Sequence, residues 1–303
     1  MPLVKLQDGP SQWKDIEDAA GILWRSTLTP DISAVATALQ DHYQNPNLIV
    51  SELKTGFNVS RRAVVVCNSE KITIAFLGSD PKELHKNWWI NAKGPAFWDW
   101  PYPVYENGNR IHSFFRDMWY GVRLATYGAL SSAVEDMAAR GATPKQIIVT
   151  GFSMGGGISI IAFTDILERI RCTRGLQSGS PQSWAQDKEL GSLVQHLTFA
   201  AVPAGDQGYY TVLNQLYETH QIRAWIFLNH RDRTVLIHPF QFRSWRGYQY
   251  ILPDAVVRFF GNEFSANGHC ILGYMKAAEW MAENGTDQLS IVVGAWADRA
   301  VLS

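Results

Sequence analysis

The 303-residue chain predicts an α/β fold: a mostly parallel central sheet flanked by helices. Three observations predict it. The run Ile147-Ile148-Val149-Thr150-Gly151-Phe152-Ser153-Met154-Gly155-Gly156-Gly157 reads as a β-branched strand, a Gly-x-Ser-x-Gly turn and an apolar helix. After it, apolar runs of strand length alternate with stretches of helical period, which is the pattern of a sheet covered on both faces. The length also suits one large core. No repeat or linker divides the chain, so residues 1–303 read as a single domain.

Residues from about 11 to 43 read as two helices. Ile16, Ala19, Ala20, Leu23 and Trp24 recur at helical spacing, and Asp31 or Ser33 can cap the second stretch. Strands are expected over 62–67 and 71–77, joined by the polar turn Asn68-Ser69-Glu70. From 81 to 109 lies a Pro-, Gly- and aromatic-rich segment with little regular pattern. An amphipathic helix over 114–140 stops at Gly141-Ala142-Thr143-Pro144. The helix after Ser153 should run to about 170, and the polar stretch 171–192 suggests an inserted surface loop. Strands at 197–202, 223–228, 255–260 and 289–293 then alternate with helices around 210–220 and 270–284.

The charge is nearly balanced, formally −1, with no dense Lys/Arg block. Nucleic-acid binding therefore has no electrostatic footprint. The N-terminus lacks the apolar core of a secretory signal, and no stretch is long and apolar enough to form a transmembrane segment. Cys67, Cys172 and Cys270 form an odd set without metal-type spacing, as free thiols do. These features predict a cytoplasmic protein.

Ser153 is the candidate nucleophile. A serine on a sharp strand-to-helix turn projects its hydroxyl above the sheet, and glycines on either side let strand and helix approach closely. Gly156 and Gly157 would each cost a helix roughly 1 kcal/mol relative to alanine, so close packing is the expected reason for them. A serine hydroxyl needs a base, and the base an orienting carboxylate. In hydrolases built on this turn the acid and then the histidine follow the serine in the chain. That leaves His196, His220, His230, His238 and His269.

His269 is favoured because Asn267-Gly268-His269-Cys270 is a loop before the last long helix. His196 and His220 lie in or beside predicted helices and read as structural or exposed. His230 and His238 crowd the preferred acid, Asp232, which follows the predicted strand 223–228. Asp206 is the alternative acid. For the oxyanion, the Met154 N–H adjoins the nucleophile, and Ser79 in Phe76-Leu77-Gly78-Ser79-Asp80 can supply a second donor.

Several separated segments resemble the class 3, fungal-type triacylglycerol lipases. Val149-Thr150-Gly151-Phe152-Ser153-Met154-Gly155-Gly156 resembles the family's V-T-G-H-S-L-G-G. Ala75-Phe76-Leu77-Gly78-Ser79 resembles F-R-G-S/T, and Asn87-Trp88-Trp89 the N-W-I after it. Ile111-His112-Ser113-Phe114-Phe115 is similar to V-H-x-G-F. Thr198-Phe199-Ala200-Ala201-Val202-Pro203-Ala204-Gly205-Asp206 is similar to T-F-G-x-P-R-V-G-N/D. Residues 229–239 parallel N-x-x-D-x-V-P-x-x-P, and Gly268-His269 with Tyr274 the region of the catalytic histidine.

The resemblance covers about 60–280. It implies an α/β-hydrolase fold, a Ser153–His269–Asp232 triad, Ser79 and Met154 at the oxyanion hole, and no metal or other cofactor. The chain departs from the family at Phe152, where the family has His, at Leu77 for Arg, at Ser113-Phe114, and in Arg233-Thr234-Val235 after the acid.

In that family the segment after the oxyanion strand is a lid. Here it holds Trp88, Trp89, Trp98 and Trp100, four of the chain's twelve tryptophans. With Phe152 these are the candidate substrate-binding or lid residues. They suit an amphipathic lid in transient contact with a lipid interface, a fixed aromatic wall for a smaller ester, or packing of a long loop onto the core.

The leading expectation is a serine carboxylic-ester hydrolase, a lipase acting on acylglycerols, whose partner is a small-molecule or lipid ester. A phospholipase A1, feruloyl-type or biosynthetic esterase is the enzymatic alternative. A catalytically silent lipase-like binding module is the other class of reading.

Overall fold

The computed structural model describes residues 2–6, 9–29, 31–55, 58–78, 97–99, 109–176, 190–229, 232, 248–252, 269–285 and 290–293. Helices α1 (Pro10–Leu28) and α2 (Ile32–Tyr43) come first. Asp31 caps α2 by accepting the Ala34 N–H. Strands β1 (Ile49–Thr55), β2 (Asn58–Cys67) and β3 (Lys71–Phe76) form an antiparallel meander. A separate pair joins β4 (Phe97–Asp99) to β5 (Arg110–His112).

Next come α3 (Ser113–Ala139), β6 (Gln146–Phe152), α4 (Met154–Leu176), the single turn α5 (Leu190–Leu193) and β7 (Val194–Phe199). The last elements are α6 (Gln207–His220), β8 (Arg223–Asn229), β9 (Tyr248–Leu252), α7 (Ile271–Asn284) and β10 (Ser290–Val293). The main sheet has the order β1-β2-β3-β6-β7-β8-β9-β10. Strands β3, β6, β7, β8 and β9 run parallel, and β10 pairs antiparallel with β9.

Side-chain alternation assigns the helices to faces. Phe199, Phe227 and Tyr250 are register partners on β7, β8 and β9 and stack side by side, at 5.5 and 5.7 Å. Trp13 of α1 and Tyr274 of α7 pack on this ladder, at 5.8 Å from Phe227 and from Phe199 respectively. The opposite parity carries Phe76, which meets Trp119 of α3, and His196, which stacks on Phe163 of α4. So α1 and α7 cover one face while α3 and α4 cover the other. On α1, Trp13, Ile16, Ala19, Ala20 and Leu23 are buried at helical spacing. Each of the large ones contributes about 1.5–3 kcal/mol of burial.

A polar lock holds α1 to the amino ends of the central strands. Asp15 accepts from Lys71 Nζ at 2.6 Å and from Gln146 Nε2 at 2.7 Å, and those two residues begin β3 and β6 as register partners. Several elements differ from those expected: β2 begins at Asn58 instead of 62, and β4 and β5 were not anticipated. Strand β1 was not anticipated, and α4 continues to Leu176, so the first residues of the expected 171–192 loop are helical. Strand β7 occupies 194–199 instead of 197–202, because Ala200 turns to φ +48 and donates its N–H to the Phe227 carbonyl at 2.9 Å. Strand β9 lies at 248–252, whereas the strand expected at 255–260 falls outside the described residues.

Candidate active site

Strand β6 ends at Phe152 and α4 begins at Met154, so Ser153 alone makes the turn between them. Its φ is +56, a left-handed conformation that costs a non-glycine residue roughly 1–2 kcal/mol. The surroundings hold it there. The Ser153 N–H donates to the Phe199 carbonyl at 3.0 Å, and the Ser153 carbonyl accepts from Gly157 N–H at 3.2 Å.

Backbone crowding explains the motif's two outer glycines. A Cβ on Gly151 would fall on the Gly155 carbonyl, and one on Gly155 would fall on the carbonyls of Phe76 and Leu77. The start of α4 can lie against the ends of β3 and β6 only without those side chains. Gly156 and Gly157 are tight for a related reason with other neighbours. A Cβ there would stand 2.7 Å from Ala201, after β7, and 2.8 Å from the Phe115 ring of α3.

Three side chains from separate parts of the chain meet at the carboxyl edge of the sheet. His269 Nε2 lies 2.8 Å from Ser153 Oγ, and His269 Nδ1 lies 2.6 Å from Asp232 Oδ2. This geometry fits a neutral imidazole that donates Nδ1–H to the carboxylate and accepts the serine hydroxyl at Nε2. Asp232 follows β8, is 1 % exposed, and ties its own N–H to the Asn229 carbonyl at 3.0 Å. His269 lies two residues before α7. Strand end, loop and helix start therefore deliver one group each.

A fourth group also meets the carboxylate. The Tyr274 hydroxyl, on the first turn of α7, donates to Asp232 Oδ2 at 3.2 Å and accepts the Asn229 N–H at 2.8 Å. Burial and the adjacent carboxylate push this hydroxyl well above the usual phenol range, so it remains a donor. Tyr274 belongs to the segment that resembles the family, but that resemblance gives it no role. The one available signal was its place near His269 on the buried stripe of the last helix. Phe152 contributes the ring beside the imidazole, 4.7 Å between centroids with planes 27° apart.

The remaining candidates separate from this cluster. Asp206, the alternative acid, caps α6 by accepting the Tyr209 N–H at 2.9 Å. His220 closes α6. His196, expected in or beside a helix, lies inside β7, fully buried, with Nδ1 2.6 Å from the Tyr217 hydroxyl and Nε2 3.2 Å from Ser159 Oγ. Burial pulls its pKa down to about 3, which leaves it neutral. Met154 is buried as the first residue of α4, placing its N–H at a helix amino end next to Ser153. Ser79, Trp88, Trp89, Trp100, His230 and His238 lie outside the described residues, and of Trp98 only its place on β4, opposite Ile111, is described.

Among the described residues, no group of three or more His, Cys, Asp or Glu side chains could hold a metal ion. No helix there is long and apolar enough to cross a membrane.

The family model described as Lipase (class 3) matches residues 73–235. Among solved structures, the chain is similar to the Rhizomucor miehei lipase–propeptide complex, with a TM-score of 0.57 and 17 % identity over 82 % of this chain and 70 % of that one. It is similar to a triacylglycerol lipase described as having a serine protease triad at its catalytic centre, with a TM-score of 0.56 and 17 % identity over 80 % of each chain. A lipase from Rhizopus microsporus var. chinensis gives 0.54 and 13 % identity, over 83 % of this chain and 76 % of that one. No curated protein matches the chain.

Proposed function

Because this chain belongs to the class 3 lipase family, with its α/β-hydrolase fold, we propose that it is a serine carboxylic-ester hydrolase acting on acylglycerols. The observation that carries the proposal is the continuous path from Ser153 Oγ through His269 to Asp232, at 2.8 and 2.6 Å. A similar structure is described as a triacylglycerol lipase with a serine protease triad at its catalytic centre, which supports the same roles here.

The mechanism follows from the three groups. Ser153 Oγ attacks the ester carbonyl carbon while its proton passes to His269 Nε2. The imidazolium, held in register by Asp232, returns that proton to the departing alkoxide, and the alcohol leaves an acyl group on Ser153. Water then loses a proton to Nε2 and attacks the acyl carbon. Collapse expels Ser153 Oγ, which takes the proton back, and the carboxylic acid departs. The Met154 N–H, with Ser79 as second donor, would stabilise the oxyanion of both tetrahedral intermediates. Loss of one such donor typically costs 10²–10³ in kcat.

The test is substrate choice. Purified protein should hydrolyse emulsified triacylglycerols and p-nitrophenyl esters of medium or long acyl chains faster than aryl carboxylate esters, and Ser153→Ala should abolish both activities. A preference for aryl esters would overturn the acylglycerol assignment and leave an esterase. Absence of ester hydrolysis from folded protein would overturn the enzyme assignment itself.

A further inference from the structure

Two hydrogen bonds at the ring edge do not by themselves fix the plane of the His269 imidazole. Nδ1 and Nε2 lie at opposite edges of the imidazole, so bonds to Asp232 and Ser153 define an axis about which the ring can still tip. A flat surface against its face removes that freedom, and Phe152 supplies one at 4.7 Å and 27°. The Phe152 ring is itself wedged. Tyr274 meets it edge-on at 6.2 Å, and on the β3 side a Cβ on Gly78 would stand 2.9 Å from its Cδ1. At 8 % exposure it has little room to turn.

The chemistry adds a second effect. When Nε2 takes the serine proton, the imidazole becomes a cation facing an aromatic π-surface, an attractive arrangement. Phenylalanine provides that surface without bringing a second titratable ring, as the histidine usual at this position in the resembling motifs would.

We infer that Phe152 is a positioning residue for His269. It fixes the plane of the base between Ser153 and Asp232 and favours the imidazolium formed in each half-reaction. This rests on the assignment of Ser153, His269 and Asp232 as the reacting set.

The experiment compares wild type, Phe152→Leu and Phe152→Tyr with p-nitrophenyl butyrate from pH 5 to 9, on protein shown to be folded by its thermal transition. F152L should lose about 3- to 10-fold in kcat with KM within twofold. The acidic limb of its kcat/KM profile should move down by about half a pH unit, since the protonated base has lost its aromatic face. F152Y should restore both. F152L matching wild type in rate and pH profile, while wild type turns over, overturns this inference alone. Folded wild type that neither hydrolyses the ester nor reacts with a fluorophosphonate removes the underlying assignment as well. Should F152L unfold below assay temperature, Phe152→Met takes its place with the same readouts and the same outcomes.

Discussion

Tyr274 donates its hydroxyl hydrogen to the same Asp232 oxygen that His269 Nδ1 approaches, at 3.2 Å against 2.6 Å. The tyrosine also accepts the Asn229 N–H, so it joins the end of β8 to the first turn of α7 through the acid.

Replacing that hydroxyl alone separates its two effects. Tyr274→Phe keeps the ring packed against Phe152 and Phe199 but leaves a buried N–H without its partner. Stability should fall by about 1–3 kcal/mol in urea unfolding. Removing one donor from Asp232 should lower kcat severalfold while the protein remains folded. Unchanged stability and kcat would mean that the hydroxyl plays neither part.

Glycines of the chain should respond in opposite directions. Gly155→Ala drives a Cβ into the carbonyls of Phe76 and Leu77, so β3 or α4 must move. Destabilisation of about 3 kcal/mol or more is expected, with loss of activity. Gly128 is exposed within α3 and has open space around it. Gly128→Ala should stabilise by about 0.5–1 kcal/mol through helix propensity. Thermal unfolding of both variants checks the contrast.

Buried His196 makes stability depend on pH. Its folded pKa, about 3, lies below the ordinary value of 6.5, so between those limits the unfolded chain binds the additional proton. Stability from this group is therefore complete above about pH 6.5 and declines as the pH falls, by about 1.4 kcal/mol per unit within the window. His196→Gln lacks the titrating group, and its amide can still bridge Ser159 and Tyr217. The difference in unfolding free energy between wild type and variant should shift by about 2 kcal/mol between pH 7 and pH 5, with wild type losing more. A difference independent of pH would contradict a neutral His196.

Much of this arrangement was legible in the sequence because its signals are local. The strand, the Gly-x-Ser-x-Gly turn and the helix around Ser153 occupy consecutive residues, and the loop positions of Asp232 and His269 follow from the elements beside them. What was not legible depends on distant partners. Strand β1 carries Ser51, Glu52 and Lys54 at the sheet edge, and so lacks the apolar run that marks β6. His196 reads as a structural or exposed residue in or beside a helix, because the Tyr217 and Ser159 side chains that satisfy it inside β7 come from two helices distant in sequence. Asp15 finds Lys71 and Gln146 across 56 and 131 residues. The Phe152–His269 stack joins positions more than a hundred residues apart. The departure from the family motif at 152 was visible, but the ring it would face was not.

The central claim is that Ser153 is a nucleophile activated by His269 and Asp232. Reaction with a fluorophosphonate probe, located by peptide mass spectrometry, tests it most directly. One label per chain should map to the peptide bearing Ser153. It should be lost in Ser153→Ala and form about three to four orders of magnitude more slowly in His269→Gln and Asp232→Asn. Folded wild type that takes no label, or Ser153→Ala that labels at the wild-type rate, would contradict the account.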